Sequence, residues 1–303
     1  MPDFLLPEIF RTIVEQIDVG IYIIDTKRMI RFWNRGAERI TGFLAQDVVG
    51  RLCRDNILAH CNDSNPCLCA SECPLMDTMR EGVARPGQVY LRHHQGHRLP
   101  VEIHAVPLRD ELGKVVGAAE IFTEHVTLPE VSSQNLVFAA CGCLDEETGT
   151  PNHELTESYL REQWDLFETH HIPFAVFVVR ADHLSEFAAQ HGHEACVAIL
   201  SAVGRTLRHA LRATDFLGRW SEDRFLVMLP YSGRAPLMPT VERLRNVVNC
   251  TAIPWWGDLL SVRVSAGLVQ AEPGESLADF KVRIENCLPN AVKPSTSAES
   301  AGA

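Results

Sequence analysis

Two short stretches of this sequence hold residue types that do chemistry when their spacing allows it. The first is CRDNILAHCNDSNPCLCASECPL, residues 53 to 75, which carries five of the chain's ten cysteines. In a reducing compartment such density points to metal or redox chemistry rather than to structural disulfides. Cys69 and Cys73 have three residues between them and lead into a helix. With Cys53 and His60 they supply the thiolates and imidazole of a tetrahedral Cys3His centre. Cys61 and Cys67 are additional, and Cys67 can replace Cys69 in that set. Zinc is the first expectation; an iron–sulfur cluster, a thiol switch, or buried inert cysteines in a long loop are the alternatives. The second stretch is LGRWSEDRFLVMLP, residues 217 to 230. Its flanks read as two apolar strands meeting at a tight turn. The turn offers Ser221, Glu222, Asp223 and Arg224 where a hairpin favours Gly or Asn. A charged turn of this kind is either solvated surface or what is left of an active site.

Composition bounds what can position these residues. The chain has 303 residues, room for two domains of ordinary size, and its 46% apolar content is that of a globular protein. No apolar run reaches the ~18 residues that a membrane span needs. The opening MPDFLLPEIF lacks the basic region and cleavage site of a signal peptide. The expectation is therefore a cytoplasmic protein that does not engage a membrane. A net charge of −11 argues against a nucleic-acid partner, because phosphate neutralisation needs clustered Lys and Arg. The polar tail, residues 291–303, reads as disordered.

Periodicity divides the rest into two blocks. In the first, VGIYIIDTKRMIRFWN reads as two strands around a turn at Thr26–Lys27, and NRGAERITG as a short helix stopped by Gly42. The cysteine segment follows, with a helix beginning near Pro74. GQVYLRHH, HRLPVEIHAVPL and KVVGAAEIF then read as strands, with turns at Gly96 and Gly113. In the second block NHELTESYLREQWDLFETH is helical and IPFAVFVVRAD is a continuous apolar strand. HEACVAILSAVGRTLRHAL is an amphipathic helix, and the 217–230 hairpin follows it. APLMPTVERLRNVVN is a Pro-started helix, LLSVRVSAGLVQ one long strand, and SLADFKVRIENCL a final helix capped by Ser276. His93, His94 and His97 read as solvent-exposed around a hairpin turn, and Trp255 and Trp256 as packing residues. The fold class is α+β. An N-terminal unit has a five-stranded antiparallel sheet with helices, and a C-terminal α/β sandwich has a mostly antiparallel sheet.

The order of elements over residues 7–124 resembles a PAS sensor domain, with residues 53–73 as a cysteine-rich insert and 125–142 as a linker. Residues 143–290 resemble the GGDEF, or diguanylate cyclase, domain more specifically. The resemblance rests on DEETGTPNHELTESYL, FVVRADHLSEFAAQHGHEACVAIL, RATDFLGRWSEDRFLVMLP and VRVSAGLV…ESLADF, in order and correctly spaced. The charged turn is then the family's signature hairpin in degenerate form.

The resemblance implies an enzyme that joins two GTP molecules with two divalent cations, held by an Asp on the first strand and an acid in the hairpin. Those positions match Arg180 and Arg224. A unit charge ~4 Å from a divalent ion disfavours it by roughly 8 kcal/mol at an effective dielectric near 20. The two hairpin glycines match Ser221 and Glu222. The guanine-reading pair matches Ala188 and Ala189, and a phosphate-binding Lys matches Ser185. No Mg-GTP is expected here, and no catalytic residue is assigned. Asp145 and Arg219 match an acid–base pair retained across the fold. Arg212 and Asp215 match the RxxD site that binds cyclic di-GMP, the family's product, and Arg243 matches a further arginine of that site. Three function classes follow. The first is a PAS-linked cyclic di-GMP receptor and the second an unusual cyclase. The third is an interaction scaffold, dimerising through the PAS block or binding another signalling protein.

Overall fold

The computed structural model describes residues 7–55, 57–64, 68–125, 138, 140–231 and 237–288. Cys67, most of the 125–142 linker and the 291–303 tail lie outside them. In the first unit α1 (Pro7–Gln16) precedes β1 (Gly20–Asp25) and β2 (Ile30–Trp33), followed by α2 (Arg35–Thr41) and α3 (Ala45–Val48). Next come α4 (Leu68–Ser71), α5 (Pro74–Glu81), β3 (Arg85–Arg92), β4 (Arg98–Arg109) and β5 (Val115–Glu124). The five strands form one antiparallel sheet in the order β2-β1-β5-β4-β3. Helix α2 starts where the sequence says it should. The Asn34 side chain accepts from the Ala37 amide, and Gly42 takes the left-handed conformation that ends the helix. The core packs Tyr22, Ile24, Trp33, Leu75, Leu91, Val101 and Phe122 under the helices.

The second unit contains α6 (His153–His170), β6 (Phe174–Ala181), α7 (Leu184–His191), α8 (His193–Ala210), β7 (Phe216–Ser221) and β8 (Arg224–Pro230). It continues with α9 (Leu237–Asn249), β9 (Ala252–Trp255), β10 (Asp258–Ser261), β11 (Val264–Gln270) and α10 (Leu277–Asn286). Its sheet runs β11-β6-β8-β7, every neighbour antiparallel. The continuous apolar run of β6 is explained by cover on both faces. Phe177 and Val179 join the cluster formed with α8 and α9, whereas Phe174, Val176 and Val178 join the cluster with α6 and α10.

The long strand expected over residues 259–270 is instead two strands. The first part, β10, folds back on β9 as a separate two-stranded ribbon. Only β11 enters the main sheet. The chain switches at Val262–Arg263, where the Arg263 carbonyl accepts from the Asp182 amide at 2.9 Å. Trp256 forms the ribbon's turn with positive φ and is 93% exposed, so it is not a packing residue.

The two units meet through the β3–β4 turn and the strand β9. Gly96, at φ +94°, lies against β9 so closely that a Cβ would stand 2.6 Å from the Ala252 carbonyl. The Ala252 amide donates to the Gly96 carbonyl at 3.3 Å. Beside it, buried Arg98 donates from Nε to the Cys250 carbonyl at 2.8 Å and from Nη1 to the Ala59 carbonyl at 2.5 Å. Its amide donates to Thr206 Oγ1 at 3.0 Å. Of the three histidines read as exposed, His94 is exposed, whereas His93 is half-buried and His97 buried as part of this junction. His97 is buried, with its ring stacked on His93 at 4.3 Å and on His209 of α8 at 5.5 Å. Apolar ring faces found cover that sequence alone does not reveal.

Two outcomes follow from this junction. Gly96→Ala introduces both a backbone clash and a disfavoured φ. Small-angle scattering should then report a larger radius of gyration while circular dichroism stays that of two folded units. The second outcome concerns acid. Burial, with neighbouring histidines and Arg205, holds His97 down to about 2. Burial also holds down His93, beside His94 and Arg205, and His209, beside Arg208 and Arg205, each to about 4. These rings bind fewer protons in the folded state than at their ordinary value near 6.5. Their contribution is therefore constant above pH ~6.5 and is lost as pH falls from there, toward about 4 for His93 and His209 and about 2 for His97. Melting temperature followed over that window should fall more steeply for the wild type than for His97→Gln.

Candidate functional site

The signature hairpin is the β7–β8 turn, and its geometry follows from strand register. Arg180 on β6 and Arg224 on β8 are direct cross-strand partners, so two guanidiniums emerge side by side where the resemblance places metal ligands. Each is neutralised locally. Arg180 Nη2 lies 3.1 Å from Asp182 Oδ1, both side chains largely buried, and Asp182 Oδ2 accepts from the Ser265 hydroxyl at 2.8 Å. Arg224 Nη1 lies 2.6 Å from Glu285 Oε2 on α10. Asp223 Oδ1 accepts from the Ser221 hydroxyl at 2.9 Å and lies 3.5 Å from Arg224 Nε. Ser221 and Glu222 are exposed. Asp182, Asp223 and Glu285 are thus engaged by arginine or hydroxyl groups, while the Glu222 side chain is exposed. Among the described residues no three His, Cys, Asp or Glu side chains converge as a metal-holding group. Ser185 and Ala189 on α7 are exposed and Ala188 half-buried, presenting no donor or acceptor beyond one hydroxyl. The residues at this edge do not fit a magnesium-bound triphosphate.

The expected Asp145–Arg219 pair persists as a charge interaction, Asp145 being the foremost of the carboxylates acting on Arg219, while the direct contacts of the two side chains lie elsewhere. Arg219 Nη2 lies 3.9 Å from Glu147 Oε2, and its guanidinium covers the Phe225 ring at 5.0 Å. Asp145 instead accepts from the Thr148 amide and hydroxyl, at 2.9 and 2.6 Å, which shapes the loop before α6. An aspartate that closes a local turn satisfies its oxygens there first.

The RxxD residues lie between α8 and β7. Asp215 Oδ2 accepts from the Arg212 amide at 3.0 Å, leaving the Arg212 guanidinium exposed. Burial raises the Asp215 carboxyl above its ordinary range, opposed by the Arg212 amide and the charges of Arg212 and Arg243. All three expected residues are therefore in one neighbourhood. Arg243, on α9, has a partner the sequence did not indicate: its Nη1 donates to the Tyr90 hydroxyl at 3.2 Å and to the Ala210 carbonyl at 3.0 Å. Tyr90 belongs to β3 of the first unit. Arg243 also lines a cavity of about 450 Å³ between the units, together with Asp63, Tyr90, His125 and His209.

The cysteine segment gathers its polar groups inside the first unit, but not as a metal centre. His60 Nδ1 lies 3.6 Å from Cys69 Sγ, and His60 Nε2 lies 2.9 Å from Glu120 Oε1. Both ring nitrogens of His60 are thus engaged. Arg28 donates from Nη2 to the Cys69 carbonyl at 3.2 Å and toward Cys73 Sγ at 3.9 Å, placing a cation on the face where the expected set needed one. Among the described residues Cys53, His60, Cys69 and Cys73 do not converge as a group of three or more ligands in this arrangement. Burial pushes the Cys53 and Cys73 thiols up. Burial acts on Cys69 the same way, but the hydrogen bond and charge of His60, with Arg28, bring its thiol below the ordinary value. Burial likewise opposes a charged His60, but Glu120 and Cys69 hold it well above its ordinary value. Cys61 is drawn elsewhere: it pairs with Tyr90 on the edge of β3, and its thiol hydrogen-bonds Cys250 across the junction.

Glu120, Arg28 and Tyr90 were not among the residues singled out from sequence. Glu120 carried a signal, a lone acid inside the apolar strand GAAEIF. The other two carried none, because their partners are 41 and 153 residues away in sequence.

Comparison with known proteins places both units. The GGDEF domain model, described as diguanylate cyclase, matches residues 143–295, and a PAS domain model matches residues 18–124. Diguanylate cyclase DgcP of Pseudomonas aeruginosa is 27% identical over 132 residues, 44% of this chain and 20% of the relative. Probable diguanylate cyclase DgcE of Escherichia coli is 23% identical over 255 residues, 84% of this chain and 22% of the relative. The chain spans about a fifth of the length of these curated relatives. Among solved structures, diguanylate cyclase SiaD of Pseudomonas aeruginosa, in complex with its activator SiaC, shares 26% identity. It covers 51% of this chain and 59% of its own, with a TM-score of 0.47. Among the described residues no helix is long and apolar enough to cross a membrane. With the matched domain filling half of its length behind a PAS domain, the chain belongs to the GGDEF family as a PAS–GGDEF signalling protein.

Proposed function

We propose that this chain is a receptor for cyclic di-GMP that does not synthesise it. Its PAS domain supplies the input, and the RxxD residues Arg212, Asp215 and Arg243 hold the ligand. The reading rests most on the neutralised arginine pair at the hairpin. Replacing two metal ligands by Arg180 and Arg224 removes the charge that would hold the cations, and the local carboxylates are occupied by those same arginines. The RxxD neighbourhood keeps what a ligand with two phosphates and two guanines needs. Exposed Arg212 is a donor fork, Asp215 is an acceptor for guanine N–H groups, and Arg243 is a second fork within electrostatic reach.

Arg243 gives this reading a mechanism. Its Nη1 is spent on Tyr90 of the PAS unit and on Ala210. A ligand recruiting Arg243 competes with Tyr90, so occupancy of the RxxD site and docking of the PAS unit draw on one guanidinium. By linkage, ligand binding that draws on Arg243 weakens the PAS contact by the same factor by which that contact weakens ligand binding. Homodimerisation through the PAS unit and engagement of a partner signalling protein are compatible outputs of the same device.

Incubation of the chain with GTP and Mg²⁺ or Mn²⁺ should yield no cyclic di-GMP; sustained product formation defeats the first half of the proposal. The second half is read by calorimetric titration with cyclic di-GMP, with GTP and magnesium titrated separately. Arg212→Ala loses one charge-assisted contact, ~1.5–3 kcal/mol or roughly 10- to 150-fold in affinity, with the fold unchanged because the side chain is exposed. Arg224→Ala should leave affinity unchanged. Tyr90→Phe releases a hydrogen bond of about 1 kcal/mol from Arg243 and should tighten binding about fivefold. Absence of wild-type binding at tens of micromolar ligand leaves the interaction scaffold as the function.

A further inference from the structure

We propose that the cavity between the two units binds a free α-amino acid with an apolar side chain, its carboxylate held by Arg243 and its ammonium group by Asp63. The cavity measures about 450 Å³, within the usual range for a small-molecule site. The 62–64 loop, β3 and β4 of the PAS unit line one side, and α8 and α9 line the other, so neither unit forms it alone. The charges on its wall identify the guest. Among the lining residues Arg243 is the one guanidinium and Asp63 the one carboxylate. Both stand within electrostatic reach of the Tyr90 phenol. Among the described residues no ion pair joins the two; Arg243 Nη1 donates instead to the Tyr90 hydroxyl and the Ala210 carbonyl. A purely anionic guest is repelled by Asp63 and a purely cationic one by Arg243. A guest that carries both charges satisfies both groups, and an α-amino acid carries them on one carbon.

The scaffold brings the two charges to one space. Asn246 stands three residues after Arg243, on the same face of α9, and donates from Nδ2 to the Asp63 carbonyl at 2.9 Å. Asn62 Oδ1 accepts from the Ser64 amide at 3.0 Å, which closes the loop around Asp63. The loop is thereby held against the helix that carries the guanidinium. The rest of the wall suits an apolar side chain, because Pro100, Ala210 and the Tyr90 ring supply carbon surface. The two imidazoles leave this charge pattern intact. Burial, with Arg208 and Arg205, holds His209 down to about 4, so it carries no charge at neutral pH. His125 Nδ1 lies 3.3 Å from Glu102 Oε1, which balances it locally.

An occupant of this cavity touches the 62–64 loop and α9 at once, so its binding favours the docked arrangement of the two units. It also keeps Arg243 on the PAS side of the junction. If the RxxD residues hold cyclic di-GMP, a bound amino acid opposes recruitment of that guanidinium, and the amino acid becomes the input that the PAS unit reports. The cavity's own ligand does not depend on that reading, and its test uses no cyclic di-GMP.

The test screens the full chain against the L-amino acids by thermal shift and titrates those that raise the melting temperature by calorimetry. Members with apolar side chains should bind. The best of them is then compared with its two singly charged analogues; for leucine these are 4-methylpentanoate, without the ammonium group, and 3-methylbutylamine, without the carboxylate. Each analogue should bind at least about tenfold more weakly than the amino acid. Asp63→Asn should weaken the amino acid about tenfold and bring it level with the carboxylate analogue, since the wall then no longer reads the ammonium group. The Asp63 side chain is exposed, so the same substitution should leave the circular dichroism spectrum and the ligand-free melting temperature unchanged. Three results overturn the proposal. One is no melting shift with any amino acid at ~10 mM. The others are a singly charged analogue that binds as tightly as the amino acid, and an Asp63→Asn variant that binds the amino acid as tightly as the wild type.

Discussion

The docking of Gly96 and Arg98 against the second unit is the constraint on which the other features of this chain depend. A guanidinium is hard to remove from water unless its donors are satisfied. Arg98 meets that demand with main-chain carbonyls on both sides of the junction, Ala59 in the PAS unit and Cys250 in the GGDEF unit. Main-chain acceptors are held by the fold itself, so the contact fixes an orientation and not only a proximity. Gly96 lets the backbones approach, and the stacked rings of His93, His97 and His209 fill the space beside them. With that orientation set, Tyr90 meets Arg243 and Cys61 meets Cys250. Both contacts leave the same short ladder, in which Cys61 and Tyr90 exchange main-chain hydrogen bonds.

The hairpin edge of the GGDEF unit illustrates how strand register fixes positions independently of the side chains they carry. The β6–β8 register keeps positions 180 and 224 opposite each other whatever side chains they carry, since register follows from buried neighbours such as Val178 and Leu226. Two arginines placed so would repel. The structure resolves this by giving each its own carboxylate, Asp182 within the strand's own continuation and Glu285 from the last helix. Arg180 is bridged to Asp182 just beyond the end of its own strand, and Arg224 to Glu285, which fastens α10 to the sheet.

The PAS interior follows a different rule. There the sheet buries a carboxyl, an imidazole, a phenol and three thiols among apolar side chains, with Arg28 beside them. Polar groups so placed are satisfied by one another or by a small guest. His60 lies between Glu120 and Cys69, with Cys73 also within electrostatic reach, so one imidazole links the sheet to the cysteine segment.

The sequence by itself determined much of this protein. Alternating and continuous apolar runs located the sheets, Gly42, Pro74 and Ser276 marked helix ends, and the ordered second-unit segments named the GGDEF fold, because each of these signals is local. Arg180, Arg224, Arg212, Asp215 and Arg243 were legible for the same reason, as single positions within aligned segments. What only the tertiary structure decided are the contacts between residues far apart in the chain. Arg243 with Tyr90, Arg98 with Cys250 and His97 with His209 cross the junction, and Glu120 reaches His60 across the PAS core. The 259–270 run became two strands for a related reason. Its β-propensity is uniform, and what divides it is the choice of partners, β9 for one half and β6 for the other. Spacing within a sequence encodes which face of an element a residue occupies, whereas which faces meet depends on packing between elements that no local pattern records.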